Sequence, residues 1–411
     1  MSAEPQVAQQ EETTVDRTRR LVDEANRDAG PDAVRLGILT PLTGPGDNVA
    51  GELVVRGACL AAEYLKEQGG RRVELVLQND QAWTNEGSMA ESAARGLRAL
   101  VEQEGVVGVF GQWHLRTTAA VADAAEDLGV PIFIENGHST VTKGRRTVFR
   151  TYFSIADRVP LMLDFMAAQG LRRLAIVASD TVFGGMTADE LEEYGRERHG
   201  MEFLRFDFPQ EEVQDIRPEL EQVAEWNPDA IINDGVVRTN YLFLRQCVEL
   251  GLRPSLPMMV TFGYPMRSAD FWRLSGPEGN GIIWPATRFR PSWEGLTDVG
   301  RWFIDRYASR FGDFPPDTCM SAFTDVTIFV RAVDMAGSQL HEHVIAALEA
   351  NEFDTWRGTV RFERGPEHWH HDRPELVLMQ YQEVDQGFDD AEIVWPEAAR
   401  TAPYRSPAEL A

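Results

Sequence analysis

The chain has 411 residues, a formal net charge of −25 and a hydrophobic content of 43%. The charge excludes nucleic acid and anionic membrane surfaces as partners, because both demand a basic face. The length exceeds what one hydrophobic core usually serves and predicts two lobes, while the absence of a long unbroken apolar run argues against membrane insertion.

Residues 1–33 are polar and lack the apolar core of a secretory signal. They read as a flexible leader with a helix over Thr14–Arg27 on the weak apolar stripe of Val15, Leu21 and Val22, and the chain as it stands reads as cytoplasmic, or extracytoplasmic if a signal has been lost. The body opens with VRLGILTPLTGPGD at 34–47, an apolar run, a Gly/Pro/Asp break and then a helical pattern over Ala50–Lys66. The same strand-then-helix unit recurs. Strands are predicted at Val73–Asp80, Val106–Gly111, Pro131–Asn136 and Val148–Phe153, with helices at Ser88–Glu102 and Thr117–Leu128. A second series follows: helix Asp157–Gln169, strand Arg173–Asp180, helix Thr187–Arg198, strand Met201–Phe208, helix Ile216–Glu225, strand Asp229–Gly235, helix Asn240–Leu250 and strand Pro257–Phe262. After Gly281–Phe289 come three helices, Leu296–Phe311, Met320–Met335 and Glu342–Asn351, and two late strands, Thr359–Glu363 and Glu375–Gln382. Alternating strands and helices imply α/β lobes with parallel sheets and ligand-binding loops at strand C-terminal ends. Cys59, Cys247 and Cys319 sit far apart in apolar helical patterns, which predicts buried free thiols.

Ten segments carry a resemblance in order and spacing: GILTPLTGP at 37–45, RGACLAA at 56–62, LQNDQA at 77–82, VGVFGQ at 107–112, TTAAVADAA at 117–125, PIFIENG at 131–137, FRT at 149–151, DTVFGG at 180–185, DAIINDG at 229–235 and LRQCVELGL at 244–252. Together they resemble the type I periplasmic binding proteins of the leucine/isoleucine/valine-binding class, which also includes bacterial amide sensors. The resemblance covers about Val34 to Pro396. It implies two flavodoxin-like doubly wound lobes joined by three crossovers, near Thr151–Ile155, Pro285–Phe289 and Asn351–Arg357, with hinge closure over a ligand. The first lobe is then 34–153 plus 290–350, the second 156–285 plus 351–398, and 399–411 is a tail.

Site residues follow from the same resemblance. A ligand carboxylate or amide oxygen is expected at the helix start formed by Trp113, His114, Leu115, Arg116 and Thr117, where unpaired amides and the helix dipole favour an anion. Thr117 is expected as the N-cap. Leu115 stands where the family usually has Ser. Gly137, His138 and Ser139 form the second ligand-contacting turn, and Phe183 the aromatic cover from the second lobe. Val236 and Phe262 replace the family's aromatic and its ammonium-binding acid, so either Asp234 takes over the acid's role or the ligand is not an α-amino acid. This departure predicts weak binding of leucine, isoleucine and valine and a preference for an amide, a carboxylate without an α-ammonium, or an aromatic acid.

The segment EHWHHD at 367–372 has metal-like spacing, but the resemblance places it in a turn remote from the cleft, and no metal or other cofactor is expected. The implied function is non-catalytic capture of a small polar organic ligand for an ABC permease. The alternatives are a cytoplasmic amide-type sensor working through a regulatory protein, and an enzyme using His114 or His138 with Asp234 as acid and base.

Overall fold

A computed structural model describes residues 12–44, 48–210, 213–235, 238–261, 263, 266, 270–289, 292–293, 295–363 and 369–410. Contacts divide the chain into two compact units, 1–135 with 145–148 and 318–351, and 136–144 with 149–317 and 352–411.

In the first unit, strands β1 (Val34–Thr40), β2 (Val73–Asn79), β3 (Gly108–Gln112) and β4 (Ile132–Ile134) form a sheet with the two-residue β5 (Val148–Phe149), in the order β2-β1-β3-β4-β5. The β1 pairings with β2 and β3 are both parallel. Chain order reverses between β1 and β3, so the loops leaving those two strands diverge and open a crevice at their C-terminal ends. Helices α1 (Thr14–Ala25), α2 (Asn48–Glu67), α3 (Met89–Glu102), α4 (Leu115–Leu128), Asp317–Ala336 and His341–Ala350 accompany it. The helix α2 lies so close to Asp317–Ala336 that a Cβ on Gly57 would stand 2.3 Å from the Cys319 carbonyl oxygen. Cys319 Sγ donates to Leu53 O at 3.0 Å in the same contact, and all three cysteines are free and buried.

The stretch from Thr13 onward is not a flexible leader. Thr13 caps α1, which buries Thr18, Leu21 and Val22, and Arg17 pairs with Glu52 of α2 at 2.8 Å. The Asn26 side chain both accepts from Leu75 N and donates to Leu75 O, at 2.9 Å each, which satisfies part of the β2 edge. Its few apolar positions suffice because they land on one face.

The second unit repeats the pattern. Strands β6 (Arg173–Ser179), β7 (Glu202–Phe208), β8 (Ala230–Asp234), β9 (Met258–Val260) and β10 (Ile283–Thr287) lie in the order β7-β6-β8-β9-β10, again reversing after the first strand. The antiparallel strands β13 (Leu376–Gln380) and β14 (Glu392–Trp395) extend the sheet beyond β10. Helix α5 (Ile155–Ala168) leads into β6, and α6 (Val182–His199), α7 (Arg217–Trp226) and α8 (Arg238–Glu249) connect the parallel strands. Both α/β units are thus flavodoxin-like in strand order.

Residues 290–317, assigned by sequence to the first lobe, belong to the second unit. Phe289 packs edge-on against Trp356 at 4.4 Å, and Thr297 Oγ1 donates to the carbonyls of Thr355 and Trp356 at 3.2 and 3.1 Å. These contacts tie the helix Asp298–Phe311 to the hairpin of β11 (Glu352–Thr355) and β12 (Gly358–Arg361), which occupies the position read as a bare crossover. The tail is also fixed: Gln380 exchanges hydrogen bonds with the Arg405 backbone, and Tyr404 packs edge-on against Phe165 at 5.2 Å.

The close helix contact at Gly57 gives a direct test. Gly57→Ala should lower unfolding stability in urea by about 1–3 kcal/mol, because the new methyl meets backbone. Gly185→Ala, in α6 with open space around it, should be neutral or stabilising by up to about 1 kcal/mol.

Candidate ligand-binding site

In the first unit the helix α4 starts at Leu115, and its N-cap is His114 rather than Thr117. The His114 carbonyl draws Thr117 into the first turn, accepting its amide at 3.1 Å and its hydroxyl at 2.8 Å. Gln112 Nε2 then donates to the same hydroxyl at 2.7 Å, and Thr118 Oγ1 donates to Gln112 Oε1 at 3.0 Å. Thr117 is therefore fully buried and its one hydroxyl proton is committed inward. The helix-start amides at Leu115 and Arg116 have no acceptors within the helix, the arrangement that favours an anion at a helix N-terminus. Arg116 is exposed, while Trp113, His114 and Leu115 are half-buried.

Next to this turn lies a residue that belongs to the LQNDQA motif but that its sequence position does not single out. Asp80, just past β2, is fully buried, and neither carboxylate oxygen has a hydrogen-bond partner. The His114 Nδ1 stands 3.6 Å from Asp80 Oδ2, beyond hydrogen-bond length. Gln81 and Thr40 are also buried with unpartnered side-chain polar atoms. Asp80 N bonds to Thr40 O at 3.1 Å, and the Asn79 carboxamide ties Leu42 N and Gln81 N together, so the β1 and β2 loops are held as one piece.

The turn Gly137, His138, Ser139 belongs to the second unit. Asn136 Oδ1 accepts from His138 N at 3.1 Å in an Asx turn. Gly137 is needed where it stands, since its carbonyl accepts from Ile155 N at 2.8 Å and an added Cβ would press on the Ile155 side chain at 3.2 Å. Fully buried Arg150 donates to His138 O and approaches His371 Nδ1 at 3.1 Å, and burial pulls its pKa down to about 10. The Ser139 hydroxyl donates to Glu190, whose carboxyl is pushed up by burial.

Beside them is a constellation that the sequence reveals only in part. Phe183 and Asp234 are expected from it; Arg158, in the first turn of α5, is not. Its guanidinium is fully buried, donating from Nη1 to Thr261 O at 2.8 Å and from Nη2 to Thr187 Oγ1 at 3.0 Å, with the Phe183 ring centroid 4.7 Å away. Asp234 ends β8, fully buried; its Oδ1 accepts from the Thr261 hydroxyl, and its Oδ2 has no hydrogen-bond partner among the described residues. Burial raises the Asp234 carboxyl to about 7, against the pull of Arg158 and the Thr261 hydrogen bond. The available signal for Arg158 is a cation placed in the first turn of a helix, where the dipole disfavours it unless tertiary partners compensate. Val236 and Phe262 lie outside the described residues.

The 367–372 segment is structural where it is described. His370 stacks on Phe149 at 4.3 Å, the ring nitrogen His371 Nε2 lies 3.0 Å from Tyr152 O, and Asp372 pairs with Arg357 at 2.7 Å. Among the described residues no group of three or more His, Cys, Asp or Glu is placed to hold a metal ion.

At each sheet reversal a buried carboxyl group, Asp80 in the first unit and Asp234 in the second, has at least one oxygen with no hydrogen-bond partner among the described residues, at the strand ends where α/β sheets bind ligands. The chain matches the family model described as periplasmic binding protein over residues 33–387, and it belongs to that family. It is 23% identical to Leu/Ile/Val-binding protein homolog 7 of Brucella abortus (strain 2308) over 404 residues, covering 91% of this chain and 94% of that protein. The fold is similar to an ABC transporter substrate-binding protein from Sphaerobacter thermophilus, with a TM-score of 0.74, 24% identity and coverage of 91% of this chain and 99% of that one. It is likewise similar to a solute-binding protein of an ABC transporter from Rhodopseudomonas palustris BisB5, solved in complex with 3,4-dihydroxy benzoic acid, with a TM-score of 0.73, 20% identity and coverage of 92% and 99%.

The raised Asp234 carboxyl predicts a pH signature. Between the unfolded value near 3.9 and the folded value of about 7, the folded protein keeps a proton that the unfolded chain releases, so stability falls as pH rises through that window and levels above it. Asp234→Asn removes this dependence. Urea unfolding should show the variant gaining on the parent by up to about 4 kcal/mol between pH 4 and 7 and then running parallel to it. A constant difference across that window would contradict the assignment.

Proposed function

We propose that the protein is a non-catalytic solute-binding component of an ABC transporter, working outside the cytoplasm. It captures a small organic molecule bearing a carboxylate or amide oxygen and closes over it by hinge motion. Among the described residues no helix is long and apolar enough to cross a membrane. Delivery to an ABC permease follows from what the relatives are named for. The observation that carries the reading is the orphaned Asp234 Oδ2 in a fully buried setting, since a polar atom left dry and unpaired at a strand end is held for something that arrives later.

In this reading the ligand oxygen sits on the helix-start amides of Leu115 and Arg116 in the first unit. Phe183, held by Arg158, supplies an apolar wall from the second. Asp234 is a poor partner for an ammonium group at neutral pH, because its carboxyl titrates at about 7 and one oxygen already accepts from Thr261. The departure at Val236 and Phe262 points the same way: the second unit offers no acid of the kind amino-acid binders use there.

Leu115→Pro tests the oxygen site cleanly. Proline is favoured at the first helical position, and His114 has the extended backbone, φ −74 and ψ 124, that a residue before proline requires. The variant should fold normally, yet it lacks one amide donor. Thermal-shift and calorimetric titration with amino acids, amides and aromatic acids, each beside its alcohol counterpart, should show binding only where the carbonyl oxygen is present. The best binder should be weakened about tenfold by Leu115→Pro. Equal affinity for the alcohol, or unchanged affinity in the folded variant, would overturn this placement.

A further inference from the structure

The first unit contains a fully buried carboxyl group, Asp80, with the His114 ring Nδ1 at 3.6 Å from its Oδ2. Among the described residues no hydrogen bond reaches either oxygen of Asp80: the residue's structural duty is carried by its backbone amide, bonded to Thr40 O, and by the neighbouring Asn79 side chain. A carboxylate taken from water with both oxygens unpaired is among the costliest arrangements a core tolerates. Two further buried groups share the deficit, the Gln81 carboxamide with both its oxygen and nitrogen unpartnered and the Thr40 hydroxyl. Thr40 ends β1, Asp80 and Gln81 follow β2, and His114 follows β3, so all four stand at the strand C-terminal ends around the β1/β3 reversal. That is also where α4 begins.

Resting on the binding function above, we infer that Asp80, with Gln81, Thr40 and His114, is an amine-binding subsite. It takes a cationic nitrogen of the ligand, a primary or secondary ammonium, whose carboxylate or amide oxygen lies on the adjacent α4 amides. The chemistry is specific. An unpaired carboxylate calls for a cation, the Gln81 oxygen and the Thr40 hydroxyl accept its remaining N–H groups, and His114 at the N-cap position borders both the amine and the oxygen subsites. The charge partner that amino-acid recognition requires is therefore supplied by the first unit rather than by Asp234.

The test works with the ligand still unidentified. Asp80→Asn keeps the shape and removes the charge. Without added ligand, the variant should melt at or above the temperature of the parent protein, since the oxygens it alters accept no hydrogen bond from the described residues; a lower melting temperature would show that Asp80 is a structural group and overturn the inference. With ligand, matched pairs are the probes: leucine against 4-methylpentanoate, phenylalanine against 3-phenylpropanoate, and glutamine against its deaminated counterpart. The strongest thermal shift in the parent should come from an amine-bearing member, and Asp80→Asn should weaken that member at least tenfold while leaving its deaminated partner unchanged. If only the amine-free acids bind, the binding function stands and this subsite falls. If no compound of either set shifts the parent protein, the binding function falls with it.

Discussion

The buried guanidinium of Arg158 is the constraint on which the second unit's site depends. No carboxylate bonds to it directly; it is held by a carbonyl at the end of β9, a hydroxyl on α6 and the face of Phe183. Each contact is modest by itself, and together they must offset the desolvation of a full charge. The result is that three chain segments distant in sequence meet at one point, with Thr261 turned so that its hydroxyl reaches Asp234. Asp234 in turn feels the cation, which opposes the effect of burial on its carboxyl. Lose the guanidinium, and both the orientation of Phe183 and the protonation of Asp234 change together.

The two units solve the same problem with different chemistry. In each sheet the strand order reverses after the first strand, and buried polar side chains stand at the strand ends beside each reversal. The first unit fills that place with a helix start and a lone carboxylate. The second fills it with a cation, an aromatic ring and a carboxyl held near neutrality. Glu135 follows the first pattern: fully buried at the end of β4, it has its carboxyl pushed well up by burial and by Asp325. Groups of this kind cost stability in the empty protein, the usual exchange when a site is built before its ligand arrives.

Much of this is legible in the sequence, and the failures have physical causes. The alternation of apolar strands and amphipathic helices marks both sheets, because parallel strands are buried on two faces and read as unbroken apolar runs. Phe183, Asp234, Gly137 and Ser139 are named through the resemblance, and the structure sets Phe183 against Arg158 and Ser139 against Glu190. Thr117 lies inside the first helical turn rather than at the cap: capping statistics favour a threonine over a histidine, yet buried Gln112 supplies the partner that draws the threonine inside. The helix α1 is legible as a helix from its stripe, but its docking on the body is not, because the stripe is narrow and a narrow stripe is enough for a helix that covers one edge. Arg158 and Asp80 are invisible as site residues for a common reason. Whether a charged side chain is buried and what surrounds it are settled by residues far off in sequence, here Thr187 and Thr261 for the one and His114 for the other.

The central claim is that this protein holds a small organic solute, and the most direct test is denaturing mass spectrometry of the protein purified from its native source. A near-stoichiometric small molecule carrying a carboxylate or amide oxygen, released on unfolding and restoring the melting temperature when added back, is the result this account predicts. A native preparation that releases no such molecule, and whose melting temperature responds to none in a broad metabolite extract, would contradict it.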